Sequence, residues 1–168
     1  MTISIFNPDG VEVLGNSRVL ALPAAVDLDA ITVAEGNAGT AIECSIKAFG
    51  ATTDVTYINA QYLCDKVAKR RVGRREYNME PLTIKVDPQD TDAIEAIFYE
   101  DAKVTLMHRP GIEHTEELAS GQKYQAVQGT VAAVDLVPVD LTEGAVYELR
   151  VALAVEKATS PFGTIATA

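Results

Sequence analysis

Beyond residue 40, apolar and polar positions alternate with a two-residue period over much of the chain. Ile42, Cys44, Ile46 and Ala48 alternate with Glu43, Ser45 and Lys47, which is the pattern of a half-buried strand. The Gly-Ala-Thr-Thr-Asp stretch at 50–54 is expected to turn the chain, and Val55, Tyr57 and Asn59 then alternate with Thr56 and Ile58. Leu82, Ile84 and Val86 alternate with Thr83 and Lys85, and Val104 and Leu106 with Lys103 and Thr105. The longest clean run spans 145–157. Tyr147, Leu149, Val151, Leu153 and Val155 share one face, and Glu148, Arg150, Ala152, Ala154 and Glu156 share the other. Such a strand places one face in the core and one in water. Residues 124–139 are also strand-like, but the apolar parity changes between Val127 and Val131 on one side and Val134 and Leu136 on the other. A bulge between 129 and 135 would reconcile the two.

One helix is expected over 88–99. Asp87 can cap it, Pro88 suits its first position, Asp90 puts negative charge in the first turn, and Ile94, Ile97 and Phe98 share a face. Its length would be roughly 18 Å. Before residue 40 the pattern is less regular. Turn signals at 8–10, 15–16 and 35–39 flank a possible short strand at 19–25 and an ambiguous stretch at 28–33. The expected organisation is therefore a loosely structured arm over 1–40, ordered on a neighbour, one β domain over 41–160, and a C-terminal tail over 161–168. The fold class is mainly β (α+β), with antiparallel strands and one helix packed on the sheet.

Composition narrows the function more than the fold. Apolar residues make up 48% of the 168 and Trp is absent, so a folded core must be built from Val, Ile, Leu and Ala. A net charge of −10 repels phosphate and anionic lipid, which argues against a general nucleic-acid or membrane binder. No apolar stretch approaches the roughly 20 residues of a membrane helix, and residues 1–6 lack the pattern of a secretory signal. Cys44 and Cys64 stand apart and are expected as reduced, half-buried thiols of a cytosolic product.

Candidate chemistry is sparse. His108 and His114 are six apart with neither cysteine near, and each is expected to be structural or superficial rather than a metal ligand. Gly36-Asn37-Ala38-Gly39 lacks the Lys-Ser/Thr of a phosphate loop, and no Gly-x-Ser-x-Gly occurs. Acidic pairs such as Glu116 and Glu117 carry no information in a chain with 24 acids. No enzyme activity, cofactor or metal is expected.

The unusual constellation is basic. Lys66, Lys69, Arg70, Arg71, Arg74 and Arg75 place six of the 14 basic residues within ten positions. Three readings are open: a solvated face, a patch that meets an acidic surface on another copy, and a nucleic-acid patch. Charge segregation favours contact between copies. The absence of interleaved aromatics and the overall charge weaken the nucleic-acid reading. Sheet edges are further templates for pairing between copies, and head-to-tail contacts close into rings.

The stretch 62–73, Tyr-Leu-Cys-Asp-Lys-Val-Ala-Lys-Arg-Arg-Val-Gly, resembles the major tail proteins of long-tailed, noncontractile bacteriophages. So does the order that follows: a strand ending near Val86, the Asp-Pro helix start, the 103–111 strand closing on Arg109-Pro110-Gly111, and two long terminal strands. The resemblance covers about 60–157. It implies a β-sandwich or barrel-like tail-tube fold with a flanking helix, in hexameric rings whose sheets join into a continuous inner barrel. Stacked rings would form the tube that delivers phage DNA, with a long loop or hairpin and a terminal arm reaching between rings. The basic residues 66–75 would then be a subunit or ring interface, and Glu148 and Glu156 would face an electronegative lumen, with Arg150 needing a carboxylate partner. Residues 49–60 and 110–122 are the candidate inter-ring loops. Partners would be the chain itself, the tape-measure and terminator proteins, and DNA only in passage, in a virion tail assembled in the host cytoplasm. The rival readings are a capsid decoration or head-tail joining protein, with a small oligomer and no filament, and a nucleic-acid-binding module using the basic cluster.

Overall fold

A computed structural model of the chain describes residues 15–22, 27–60, 69–87, 91–137, 147–159 and 162–167. In chain order the elements are strand β1 (Ser17–Leu22), helix α1 (Val33–Asn37), strands β2 (Thr40–Ala41), β3 (Ala51–Ala60), β4 (Lys69–Met79) and β5 (Leu82–Lys85), helix α2 (Asp92–Glu95), and strands β6 (Lys103–Pro110), β7 (Lys123–Leu136), β8 (Glu148–Ala158) and β9 (Gly163–Thr164). Every described strand-to-strand register is antiparallel. The mainly β expectation holds. The chain clusters into two compact units, one of Met1–Ser45, Thr105–Ala126 and Thr159–Ala168, the other of Ile46–Val104 and Val127–Ala158.

In the first unit β1 is an interior strand, with Leu20 opposite Ala41 of β2 and Ser17 to Leu22 opposite Pro110 to Thr105 of β6. Flanked on both sides, its run Val19-Leu20-Ala21-Leu22 is buried on both faces. Residues expected as part of a loose arm thus include an interior strand; residues 1–14 and 23–26 of that arm lie outside the described residues. Leu20, Leu22, Leu28, Ile31, Met107 and Tyr124 form the heart of the core. The Tyr124 hydroxyl donates to the Leu28 carbonyl at 2.8 Å and accepts from the Ile31 amide at 3.2 Å. Burial raises its pKa, consistent with a phenol kept as a neutral donor.

Helix α1 begins with a capping box. The Thr32 hydroxyl accepts from the Glu35 amide at 3.2 Å while the Glu35 carboxylate accepts from the Thr32 amide at 2.8 Å. Thr32-Val33-Ala34-Glu35 carries this signature in the sequence, although 28–33 reads as ambiguous by periodicity.

The strand expected from 42 to 48 does not form. After Ile42 donates to the Val19 carbonyl, Ser45 donates back to the Ile42 carbonyl and the chain turns. Ile42 is buried, Ile46 is half-buried with a single bridge to Ile84, and Cys44 is exposed rather than half-buried. Cys64 lies outside the described residues.

Where β6 ends, Arg109 is fully buried. Its guanidinium donates to the carbonyls of Glu117 (3.0 Å) and Glu113 (2.7 Å) and to the side-chain oxygen of Gln122 (3.2 Å). The 111–122 loop is therefore folded around a cation. Burial and the neighbouring Arg18 charge lower the Arg109 pKa, opposed by Glu116 and Glu43, and an arginine so perturbed still remains charged at neutral pH.

His108 is half-buried, its Nε2 3.2 Å from the Ser17 hydroxyl, and burial lowers its pKa. The unfolded imidazole binds a proton near pH 6.5 while the folded one resists it. Stability therefore falls as pH drops through about 6.5 toward the folded pKa. His108→Gln is expected to reduce the loss of stability between about pH 7.5 and 5.5, measured by urea unfolding at each pH; an unchanged slope would refute it. His114 places its Nδ1 3.2 Å from the Gly15 carbonyl.

In the second unit β8 pairs with β7 and β5. The β7–β8 ladder shifts register twice, between Gln128 and Gly129 and between Val131 and Ala133. The second shift is the bulge expected between 129 and 135: Ala132 is the extra residue, and the apolar parity of β7 changes there. Leu136, beyond it, is nonetheless exposed. In β5, Leu82 and Ile84 are buried and Thr83 and Lys85 are not, as their alternation implies. On β8, Val151 is fully buried, Arg150, Ala154 and Glu156 are exposed, and Tyr147 just before it is exposed.

The expected 88–99 helix is reduced to the single turn α2. Thr91, not Asp87, holds the N-cap position, without a side-chain cap bond. Phe98 is buried and its amide bonds to the Ile94 carbonyl. The turn closes where Asp101 takes a positive φ of 64°. Residues 88–90 lie outside the described residues.

Candidate interaction site on the β3–β4 hairpin

The expected turn at 50–54 is instead the start of β3, which pairs with β4 in a separate two-stranded sheet. The ladder runs from Ala51 opposite Met79 to Val55 opposite Arg75, then from Tyr57 opposite Val72 to Ala60 opposite Lys69. Between these halves β4 carries one extra residue, at Gly73-Arg74, opposite Thr56. Directly opposed residues share a face, so Val55, Arg75, Tyr57, Val72 and Arg70 lie on one face. Ile58 and Arg71 lie on the other.

Alternation along β4 divides the basic window, and the bulge sets which face Arg75 joins. Arg70 and Arg75 fall on the first face, Arg71 on the second, and Arg74 at the irregularity, where its Nε pairs with Glu76 at 3.0 Å. Both partners of that pair are well exposed, and such pairs contribute little to stability. Arg70, Arg71, Arg74 and Arg75 are all exposed. Lys69 belongs to β4, its side chain lying outside the description, and Lys66 lies outside the described residues.

The two halves of the hairpin differ. In the proximal half Ala51, Val55, Tyr77 and Met79 are half-buried on the first face. Thr52, Asp54, Glu76 and Asn78 are exposed on the other, with Asn78 donating to Asp54 at 2.7 Å. An open groove of about 490 Å³ runs between Arg74–Met79 and Leu153–Glu156 of β8. In the distal half Tyr57 (59%), Ile58 (57%) and Val72 (54%) are exposed beside the arginines. Sequence alternation at 55–59 did not single these out; an apolar strand paired with the basic run is the signal that could have.

The two acids placed together by sequence sit in different surroundings at opposite ends of β8. Glu148 is half-buried and pairs with Lys47 at 2.6 Å. Glu156 is exposed, is the residue left over at the first register shift, and accepts from the Thr130 hydroxyl at 2.8 Å. Arg150 lies directly across from Asp135 in the β7–β8 register. Among the described residues no three His, Cys, Asp or Glu side chains converge as a metal site would require, and no helix is long and apolar enough to cross a membrane.

A family model described as "Phage tail tube protein" matches residues 7–168. No curated protein matches the chain.

Proposed function

The chain belongs to the phage tail tube protein family, and from that premise we propose that it forms hexameric rings that stack into the tube through which phage DNA is delivered. The family makes it a structural component of the virion tail. The observation carrying the finer reading is the match over residues 7–168, joined to a hairpin whose outer half leaves apolar and basic side chains exposed. In this reading the protein is a structural rather than catalytic subunit of a noncontractile tail. Its partners are other copies, with the tape-measure and terminator proteins at the tube's ends and DNA only in passage. Arg70, Arg71, Arg74 and Arg75, with Lys66 and Lys69, meet carboxylates of a neighbouring copy, which the excess of 24 acids over 14 bases supplies.

Glu148 and Glu156 are proposed to contribute to a lumen that does not retain phosphate. A ring reconstruction with either side chain on the outer wall would refute that assignment for it.

Negative-stain microscopy of the concentrated protein tests the class, with tubes or six-fold rings as the expected result. Replacing Arg70, Arg71, Arg74 and Arg75 by Glu is expected to abolish tubes while leaving the circular dichroism spectrum and melting temperature of the subunit nearly unchanged, because all four are exposed. Normal tubes from this variant would sink the interface assignment. Salt-sensitive DNA binding by the unmodified protein, lost in the variant, would favour a nucleic-acid module instead.

A further inference from the structure

Strand β8 outruns its partner on one side. The Val86 amide donates to the Tyr147 carbonyl at 3.0 Å, and β5 continues that ladder through Ile84 opposite Leu149 to Leu82 opposite Val151. On the other side the Glu148 carbonyl accepts from Val137 of the β7 end. Backbone groups therefore point to β5 at Tyr147, Leu149 and Val151, and alternation points those of Leu153 and Val155 the same way. Val131, directly opposite Leu153, agrees, since it spends its own N–H and C=O on Ala102 and Asp101 rather than on β8. Yet β5 begins at Leu82, so among the described residues no strand pairs with Leu153 and Val155 on that side. What stands there is β4, across the groove of about 490 Å³ walled by residues 74–79 and 153–156.

The two walls are complementary. Tyr77 and Met79 share a face of β4, Leu153 and Val155 share a face of β8, and all four are half-buried. A register with Met79 opposite Leu153 and Tyr77 opposite Val155 sets these apolar pairs on one face. It departs from the β5–β8 register by one residue, and that residue falls at Glu80-Pro81, where a proline without an N–H is tolerated as a bulge. Arg74, Arg75, Glu76 and Glu156 also line the groove, so two bases close on two acids. The hairpin is joined to the rest of its unit by a narrow neck, Gly50 on one strand and Glu80-Pro81 on the other, all exposed. A second cleft, of about 670 Å³, lies at this neck between residues 47–52 and 78–81. A Cβ at Gly50 would meet nothing within 4 Å, so the neck has room to turn.

We infer that the β3–β4 hairpin is a hinged flap: it turns about Gly50 and Glu80-Pro81 and lays the base of β4 along the free edge of β8, closing the groove and joining its two strands to the larger sheet of the same chain. Both strands belong to one chain, so closure is a property of the single subunit and needs no neighbour.

Hydrogen exchange of the dispersed subunit reads closure directly. The amides of Leu153 and Val155 are expected to exchange about tenfold more slowly in the unmodified protein than in Tyr77→Asp, which sets a charge against Val155. The protection is expected to be the same at every subunit concentration. Exchange of both amides at the unprotected rate, or protection that Tyr77→Asp leaves intact, would overturn the flap. So would protection that grows with concentration, because a neighbouring copy would then be filling the edge. Where faster exchange along β3 shows that Tyr77→Asp has loosened the hairpin itself, a covalent trap decides. In a Cys44→Ser, Cys64→Ser background, Asn78→Cys with Ala154→Cys is opposed in the closed register. It is expected to form a disulfide about tenfold faster than Asn78→Cys with Ala152→Cys, the pair nearer the neck that an open groove favours. Equal or reversed rates would mean that the groove stays open.

Discussion

Arg109→Met is expected to lower the thermal unfolding midpoint by about 10 °C. The substituted side chain fills similar space but cannot donate, so the carbonyls of Glu113 and Glu117 and the side-chain oxygen of Gln122 lose their shared donor. Hydrogen bonds to a charged group contribute about 1.5–3 kcal/mol each. Two effects offset part of that loss: the cost of holding a desolvated cation disappears, and water can reach the loop, since Glu113 and Glu117 are exposed. A net of about 3–5 kcal/mol remains, which at about 2–4 °C per kcal/mol gives the stated shift. Arg109→Lys separates charge from geometry. It keeps the cation but gathers its donors at one point, which cannot span three acceptors, so recovery of about half the loss is expected. The damage should also be local at first. Amides of Gly111, His114 and Glu116, all hydrogen-bonded in the structure, are expected to exchange faster in Arg109→Met even under conditions where the protein remains folded. A midpoint within about 2 °C of the unmodified protein, or unchanged exchange over 111–122, would show that the loop holds its shape without the cation.

Gly163→Ala is expected to destabilise the first unit by about 3 kcal/mol, toward the severe end for an overpacked site. A Cβ at residue 163 would stand 2.3 Å from the Tyr124 ring at Cζ and 2.6 Å from its hydroxyl oxygen. The ring has nowhere inexpensive to go. It is fully buried and pinned by Leu28 and Ile31 through its hydroxyl, and it is paired through its own backbone with Gly163 in the β7–β9 ladder. The close approach therefore specifies glycine by space rather than by backbone conformation. Tyr124→Phe alone leaves the Leu28 carbonyl and Ile31 amide unpaired, a loss of about 1–3 kcal/mol, yet keeps the ring carbon that clashes. Combining Gly163→Ala with Tyr124→Leu removes the ring itself and is expected to cost at least about 1 kcal/mol less than the sum of the separate changes. Chemical denaturation of the four proteins measures this coupling. Strict additivity would mean that the backbone at 163 moves instead of the ring resisting.

Both sites were only partly legible beforehand. Arg109-Pro110-Gly111 reads as the end of a strand, but nothing local distinguishes an arginine that binds a loop from one that faces water, because its acceptors lie four, eight and thirteen residues further along the chain. Gly163 had no local mark, since its reason is a tyrosine 39 positions earlier in the chain. The 42–48 stretch failed the other way. Its alternation was real, but a strand needs a partner along its whole length, and beyond Ala41 the chain turns with only an isolated bridge at Ile46. In the helix expected at 88–99 the apolar spacing of Ile94 and Phe98 agrees with the structure, whereas the N-cap lies at Thr91, four residues beyond Asp87.

By itself the sequence determined the mainly β class, the parity of β5 and β8, and the bulge in β7. Each depends on residues next to one another along the chain, where side-chain direction alternates by covalent geometry. It also determined that bases are concentrated in one short window. Tertiary structure alone decided that this window is divided between the faces of an exposed hairpin, that Glu148 and Glu156 have different surroundings, and that residues 17–22 form an interior strand. Those outcomes depend on register and on partners distant in sequence. A single extra residue in β4, invisible as alternation, is enough to move an arginine from one face to the other.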